Sequence, residues 1–375
     1  MKILHIFPGK VWGGAEQYVL DLGSAMRAKG HTVDYVTRPS LAVTSRLEKS
    51  GENFRVLKFG GLLDRSTSGE LRKILSDGRY DVVHIHDVKF VTPVARAIKR
   101  SGSATRLVLT RHIARASRTC ILHRPYFRSL HKMIFVSGIA CRKWREANRW
   151  FPAEGCTVIH NSIPDLLPEK ADRPVRTRYG IAPDIPVFMF TGRVRRSKGC
   201  ETILSALGSL KHRKWAMVFV GSCKPRDYQD RLMKQATELG IADRVHFYGY
   251  SSSARSLLGE AYAGLQPSIV REACPLSPME FMQQEKCVIT TDNGGQTEYI
   301  TDGRNGILIS PDNPELLAEA IGKILDHPDH TAEIGRRAAE HFNTHLCYSN
   351  FIDAVIVAYG TATSDRSTLP DVKSD

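Results

Sequence analysis

Short apolar runs alternate, almost from end to end of the chain, with stretches whose apolar residues recur at three- and four-residue spacing. The runs KILHIF (2–7), TVDYVT (32–37), DVVHIH (81–86), RLVLT (106–110), KMIFV (132–136) and TVIH (157–160) read as short apolar strands. Between the first two, Ala15, Tyr18, Val19, Leu22, Ala25 and Met26 share one face of a helix that Gly30 ends. The pattern then repeats at PVFMFTG (186–192), WAMVFVG (215–221), RVHFYG (244–249), AGLQPS (263–268), CVITT (287–291) and GILIS (306–310), and the chain turns helical after about Asp312. Strand–helix alternation of this kind predicts an α/β protein with two parallel-sheet domains facing each other across a cleft. Ligands of such sheets bind outside the carboxyl ends of the strands.

The proline-rich, polar stretch PDLLPEKADRP (164–174) reads as the link between the halves, giving a first domain over 1–165 and a second over 166–345. Residues 346–375 read as a terminal helix packing back toward the first domain, followed by a disordered tail, TATSDRSTLPDVKSD (361–375).

A length of 375 residues suits two domains, and 42% apolar with 25% charged residues is ordinary for a soluble globular chain. The longest apolar runs fall far short of the ~20 residues that span a bilayer, and MKILHIFP reads as a first strand rather than a signal peptide. Eight scattered cysteines include no CxxC unit, which points to a reducing, cytoplasmic setting and away from a zinc ribbon or disulfide framework.

The net charge of +14 changes the picture because it is unevenly placed. Residues 1–170 carry 29 Lys+Arg against 14 Asp+Glu, whereas residues 171–375 carry 24 against 25. Lys89 to Arg149 holds 15 basic residues and one acidic, Glu146. Such a run predicts a face addressed to anionic lipid, a phosphorylated acceptor or nucleic acid. No nucleic-acid motif accompanies it, so a non-enzymatic nucleic-acid-binding protein ranks behind the others. On the lipid reading, Arg115, Arg118, Arg124, Arg128, Arg142, Lys143 and Arg145 meet headgroups while Tyr126, Phe127 and Trp144 insert at the interface.

Candidate chemistry sits at strand ends. In FPGKVWGGAEQ (7–17), Gly13 and Gly14 stand where a helix starts, so their N–H groups face any bound anion. The G-x3-G-G spacing is not GxGxxG, which weakens a dinucleotide oxidoreductase reading. In TGRVRRSKGCETIL (191–204), Arg193 and Lys198 lie on a loop between a strand and a helix, within reach of a diphosphate. His112, in LTRHIARASR (109–118), follows a strand and faces the same cleft. His84 and His86 share a strand face, but no third metal ligand has fitting local spacing, so no metal is expected there.

The stretch SIVREACPLSPMEFM (268–282) places two glutamates eight apart with two prolines between them, which rules out one continuous helix. Ser277-Pro-Met-Glu280 has the form of a capping box with serine at the N-cap, so a helix is expected to start near Ser277. Glu272 then lies in the loop before it. Carboxylates bordering an anion site repel phosphate, so their expected partners are sugar hydroxyls.

With these elements in order, nearly the whole chain resembles the family-4 retaining glycosyltransferases of the GT-B fold. The likeness runs from WGGAEQYVLDLGSAMRAKGHTV through VIHNSIP and TGRVRRSKG to REACPLSPME and DNGGQTEYITDGRNGILI. The resemblance implies two Rossmann-like domains and a nucleotide-diphosphate sugar as donor substrate, with no other cofactor. It implies that Glu272 contacts donor-sugar hydroxyls and that Glu280 holds the ribose. Arg193 and Lys198 would bind the diphosphate beside Gly13 and Gly14, and His112 would sit by the transferred sugar. Backbone from Cys274 through Pro275 and Leu276 to Ser277 would meet the phosphates. The family more often has glycine at Pro275, so any N–H contact there must come from Leu276 or Ser277. The catalytic expectation falls on His112 and Glu272. No two aspartates stand two apart, so there is no Asp-x-Asp metal motif and metal independence is expected. The acceptor, a glycan or a lipid-linked molecule, is expected on the first domain. A nucleotide-sugar epimerase of the same architecture is the alternative enzyme.

Overall fold

The computed structural model describes residues 1–9, 12–59, 65–165, 173–223, 225, 227–251 and 253–360. Parts of three sequence expectations lie outside these residues: Lys10 and Val11 of the first glycine loop, most of the expected linker, and the tail from 361.

Among the described residues, thirteen strands form two sheets, all of whose pairings are parallel. The first holds β1 (Lys2–Phe7), β2 (Thr32–Thr37), β3 (Phe54–Val56), β4 (Val82–Ile85), β5 (Arg106–Arg111), β6 (Lys132–Phe135) and β7 (Cys156–Val158), in the order β3-β2-β1-β4-β5-β6-β7. The second holds β8 (Val187–Thr191), β9 (Ala216–Val220), β10 (Val245–Gly249), β11 (Ala263–Gln266), β12 (Cys287–Thr291) and β13 (Ile307–Ile309), in the order β10-β9-β8-β11-β12-β13. Twelve of these strands coincide with apolar runs read from the sequence. The exception, β3, has three residues, mostly exposed, at a sheet edge, so it carries no apolar signature.

Strand order reverses beside β1 in one sheet and beside β8 in the other. Ile3 of β1 faces Val33 on one side and Val82 on the other, while β8 lies between β9 and β11. Crevices for ligands open at such reversals. The loops after β1, β4, β8 and β11 therefore frame the site.

Burial explains the continuous apolar runs. In β8 and β9 every residue is buried, and β1 is buried after Lys2. One apolar cluster joins a face of each sheet, running from Leu4, Ile6 and Val83 to Val187, Met189 and Val218. The terminal helix Tyr348–Ala358 crosses back to the first domain, where Phe351, Ile352 and Val355 pack with Ile3, Tyr18 and Val82. Tyr359, just beyond it, meets His84 Nδ1 through its hydroxyl at 2.8 Å.

Two expected interface aromatics belong instead to the interior. Trp144 and Phe127 are buried, in a ring cluster where Trp144 lies 5.2 Å from Phe151 and 6.4 Å from Phe127. Tyr126 is half-buried with its hydroxyl accepting from Arg96 Nε at 2.9 Å. The large apolar side chains that do face solvent in this stretch are Ile113 (52% exposed), Ile121 (68%) and Leu122 (74%). Among the described residues no helix is long and apolar enough to cross a membrane.

Candidate active site

The helix Gly14–Ala28 begins directly after the first glycine loop, with Gly13 extended at its N-cap and no side chain capping it. The carboxylate of Glu16 leans back on the N–H groups of Gly13 and of Glu16 itself, so an anion at this helix start would have to displace or share them. A Cβ built on Gly14 would come within 3.7 Å of Leu276, so this loop reaches across to the second domain. Glu16, in the first helical turn, is buried, and that burial raises its pKa although Arg193 lies within electrostatic reach. The sequence reading passed over Glu16, whose only local signal is its place two residues after the glycine pair.

After β8 the chain turns through Gly192 (φ 128°), and Arg193 projects exposed from the loop. Lys198 follows on a short turn ended by Gly199 (φ 73°), where a Cβ would strike the carbonyl oxygen of Pro267 at 2.0 Å. Glycine is thus required at 199 by both conformation and space. Burial and the nearby Arg193 depress the pKa of Arg195, with Glu272 opposing them, so the loop is electropositive.

Lys198 is not free. Its Nζ donates to both carboxylate oxygens of Glu272, at 2.6 and 2.7 Å, and Ser268 Oγ donates to the same carboxylate. The expected phosphate ligand and the expected sugar ligand thus hold each other. The backbone of Glu272 is fixed by the loop after β12: Gly295 N–H donates to Glu272 O at 2.9 Å. A Cβ on Gly295 would lie 1.7 Å from Ala273 O, and one on Gly294 would lie 2.7 Å from Glu272 O, so the glycine pair permits backbone to lie on backbone.

The expected capping box is not formed. The helix runs Leu276–Gln283 with Pro275 at its N-cap and no side-chain cap. Ser277 Oγ donates instead to Thr191 O at 3.0 Å, and Thr191 Oγ1 donates to Glu280 Oε2 at 3.3 Å. The end of β8 offers a tertiary acceptor, and it outcompetes the local cap. Because Pro275 and Pro278 lack N–H groups, Leu276 and Ser277 supply the donors of the first turn. Cys274 is buried, its thiol pushed up to about 12 by that burial, and its carbonyl accepts from Asn161 Nδ2 at 2.9 Å. Burial also raises the Glu280 carboxyl, against Arg255 and the Thr191 hydrogen bond.

His112 follows β5 and is half-buried, with the Tyr18 ring 4.8 Å away edge-on. Burial pushes it down to about 4, so the imidazole is neutral at pH 7. Its Nε2 meets His86 Nδ1 at 3.2 Å, and His86 Nε2 meets His5 Nδ1 at 3.0 Å. The third histidine absent from the local sequence thus comes from β1, which neighbours β4 in the sheet. His5, His84 and His86 bring ring nitrogens within 4.8 Å of one another. Both nitrogens of His84 are engaged, by Tyr359 OH at 2.8 Å and Thr110 Oγ1 at 2.7 Å.

A further residue missed in the sequence joins the domains. Glu298 accepts from the N–H groups of Gly138 (2.7 Å) and Ile139 (2.6 Å) at the start of the helix Gly138–Ala147, and from His160 Nε2 at 2.8 Å. Burial pushes its pKa up, but hydrogen bonds from His160 and the two N–H groups outweigh that and leave it below the usual value.

Beside the ends of β4 and β5 the first domain contains a cavity of about 440 Å³. Phe59, Phe90, Phe127 and Trp144 contribute apolar walls, while Arg38, Lys89 and Arg118 contribute charge. None of its described lining residues is acidic. Arg38 lies over the rings of Phe59 and Phe90, at 5.8 and 5.6 Å. Arg111 steadies the lining loop by donating to Ser117 Oγ at 3.1 Å.

The profile of the family described as "Glycosyl transferases group 1" matches residues 173–341, and that of "Glycosyltransferase Family 4" matches residues 12–165. A D-inositol 3-phosphate glycosyltransferase of Mycobacteroides abscessus is 26% identical over 395 aligned positions, covering 94% of this chain and 85% of its own. A glycosyltransferase structure from Rickettsia africae superposes with a TM-score of 0.85 at 20% identity, covering 96% of this chain and 97% of its own. Anabaena HepE, in complex with UDP, superposes with a TM-score of 0.81 at 21% identity, covering 95% of this chain and 99% of its own. It has also been solved with UDP-glucose. Two profiles in series and two facing parallel sheets lead to one conclusion: the chain belongs to the family-4 glycosyltransferases of the GT-B fold.

Proposed function

We propose that the protein is a retaining, metal-independent hexosyltransferase. It moves a sugar from a nucleoside diphosphate sugar, with UDP the first candidate base, to a glycan or lipid-linked acceptor in cell-surface polysaccharide or lipopolysaccharide synthesis. The observation that carries this reading is the meeting of unlike groups at the cleft. The helix start at Gly13–Gly14 lies across from the Leu276–Ser277 helix start, Lys198 pairs with Glu272, and Glu280 is held to Thr191 at the end of β8, with Arg193 on the loop that follows. The complexes of HepE with UDP and UDP-glucose support the choice of donor.

Cleaving the bond from sugar C1 to the diphosphate oxygen leaves an oxocarbenium-like sugar and a leaving group of growing negative charge. Arg193, Lys198 and the N–H groups of Leu276 and Ser277 stabilise that charge as it develops, the role that an Asp-x-Asp-bound metal fills elsewhere; this chain has no such motif. The acceptor hydroxyl attacks C1 from the face the diphosphate leaves, and its proton passes to the departing phosphate oxygen. His112 positions the sugar, and Glu272 accepts from its hydroxyls once Lys198 turns to phosphate. Glu280 accepts from the ribose.

The cavity beside β4 and β5 is our candidate acceptor seat. Apolar walls with cations and no described carboxylate suit an acceptor that joins an apolar group to a phosphate, and a relative named for D-inositol 3-phosphate supports a phosphorylated acceptor. Exposed Ile121 and Leu122, between Arg118 and Arg124, suit contact with an anionic bilayer that would present a lipid-linked acceptor.

The test is a thermal-shift screen of nucleoside diphosphates and nucleotide sugars, then turnover with the best donor and polyprenyl phosphate-linked sugars. A donor at ~100 times its dissociation constant adds about 2.7 kcal/mol of stability. The expected product keeps the anomeric configuration of the donor and forms equally in excess EDTA. No stabilisation by any nucleotide sugar overturns the reading. Inversion removes the retaining assignment, and loss of turnover in EDTA removes metal independence. Sedimentation unaffected by anionic lipid removes the membrane contact.

A further inference from the structure

The three histidines ending at His112 carry more than a structural contact. His86 stands on the strand-end segment after β4, 7% exposed, and uses both ring nitrogens on other imidazoles: Nδ1 on His112 Nε2 at 3.2 Å and Nε2 on His5 Nδ1 at 3.0 Å. Burial keeps all three rings neutral at pH 7, with His5 pushed down to about 3, His112 to about 4, and His86 well below its usual value. A neutral imidazole has one N–H and one lone pair. His86 must therefore donate through one nitrogen and accept through the other, so the protons of the string run in one direction or the other as a unit.

The two directions differ at the ends. Running inward, His112 Nε2–H donates to His86, His86 Nε2–H donates to His5 Nδ1, and His5 carries its remaining proton on Nε2. That atom is buried and has no partner, in a residue 0% exposed. Running outward, His5 Nδ1–H donates to His86, His86 Nδ1–H donates to His112 Nε2, and the orphaned His5 Nε2 holds a lone pair only. The outward direction leaves His112 with its proton on Nδ1, an atom with no hydrogen-bond partner among the described residues. Among backbone groups an orphaned buried N–H is the rarer defect and an underused acceptor the more tolerated one. The same preference selects the outward direction.

We infer that His86, oriented by His5, is a positioning residue that fixes His112 as its Nδ1–H tautomer, so that His112 meets the donor as a hydrogen-bond donor. An imidazole held in this way offers N–H to a sugar or phosphate oxygen and has no free lone pair with which to take the acceptor's proton. This rests on the placement of His112 beside the transferred sugar, but the tautomer itself is a property of the ligand-free chain.

Two measurements separate the parts. Nitrogen-15 NMR of the ligand-free full chain, labelled at histidine and assigned with His112→Gln, reads the ring protons without any substrate. A protonated Nδ1 and bare Nε2 on His112 are expected; a protonated Nε2 overturns the inference even if the enzyme is active. Kinetics then test the consequence. His86→Asn puts an amide N–H where Nδ1 stood and keeps the donor to His112. His86→Asp puts an acceptor there and reverses the string. His86→Asp should lower kcat about 10–100-fold, the scale seen when the orienting partner of a metal-ligating histidine is lost, with UDP affinity unchanged, and His86→Asn should recover most of the rate. Equal losses in both variants overturn the positioning role. Absence of transfer with every donor would instead overturn the proposed function and leave the tautomer standing.

Discussion

Lys198 and Glu272 form a pair in the cleft, with side chains 17% and 20% exposed. On the proposed function, a donor that takes Lys198 with its phosphates would release Glu272, and the released carboxylate would then accept from sugar hydroxyls. Removing Glu272 therefore has opposite effects on the two halves of the donor. Glu272→Ala should leave UDP affinity equal or higher, because Lys198 no longer needs to leave a partner, while lowering kcat sharply. Calorimetric titration with UDP beside steady-state kinetics checks this, and a parallel loss in both refutes the exchange of partners. Glu280 behaves differently. Its carboxyl accepts from Thr191 and is pushed upward by burial. Glu280→Ala should weaken UDP binding about 10–100-fold, the equivalent of one hydrogen bond to a charged group at about 1.5–3 kcal/mol. Because the protonated carboxyl accepts less well, UDP affinity in the unaltered protein should fall on acidification before the ordinary carboxylate range is reached. Titrations at stepped pH would show it.

At the scale of elements, β1, β4 and β5 bring four imidazoles into one interior: His5, His84, His86 and His112. All four are depressed, chiefly by burial. The unfolded chain binds these protons near the ordinary histidine value, and the folded chain does not. Stability is therefore present above about pH 6.5 and falls as the pH drops toward the folded values, with a slope approaching ~1.4 kcal/mol per pH unit for each ring. Thermal melts at pH 7.5 and 5.5 should differ by many degrees; equal midpoints would mean that the rings are protonated in the fold. The histidine string also marks what could be read before the structure. The glycine loops, Arg193, Lys198 and the proline break at 275–278 are local features, and each appears in one short stretch. His5 pairs with His86 across 81 residues, and nothing in either stretch announces the other. The capping box failed for the same kind of reason, since Thr191 lies 86 residues from Ser277 yet supplies its acceptor. Phe127 and Trp144 read as interfacial because their neighbours are basic, but the apolar faces of their helices point inward.

At the scale of the whole molecule, the two domains must stay in register for the first glycine loop to face the Leu276–Ser277 helix start. Beside the shared apolar cluster, two features help to hold them. The terminal helix carries the chain from the second domain back to the first, burying Phe351, Ile352 and Val355, side chains worth about 1.5–3 kcal/mol each when fully buried. Glu298 adds a directional contact, a carboxylate on the N–H groups that open the helix Gly138–Ala147, where the helix dipole favours negative charge. Its pKa is below the ordinary value, so the clasp contributes fully above about pH 4.5 and is lost only as the pH falls through the folded value. It is therefore intact at neutral pH. Because the helix cannot swing free while Glu298 stays bound, the clasp limits rocking of one domain on the other about the terminal-helix tether. Glu298→Ala should widen the distribution of domain separations while leaving each domain folded. Small-angle scattering should report a larger radius of gyration, and calorimetry a single melting transition splitting toward two. Turnover should fall through a raised donor KM, since the glycine loop and the helix start would meet less often. A variant that melts in one transition at the original midpoint would show that the clasp is not needed to keep the cleft in register.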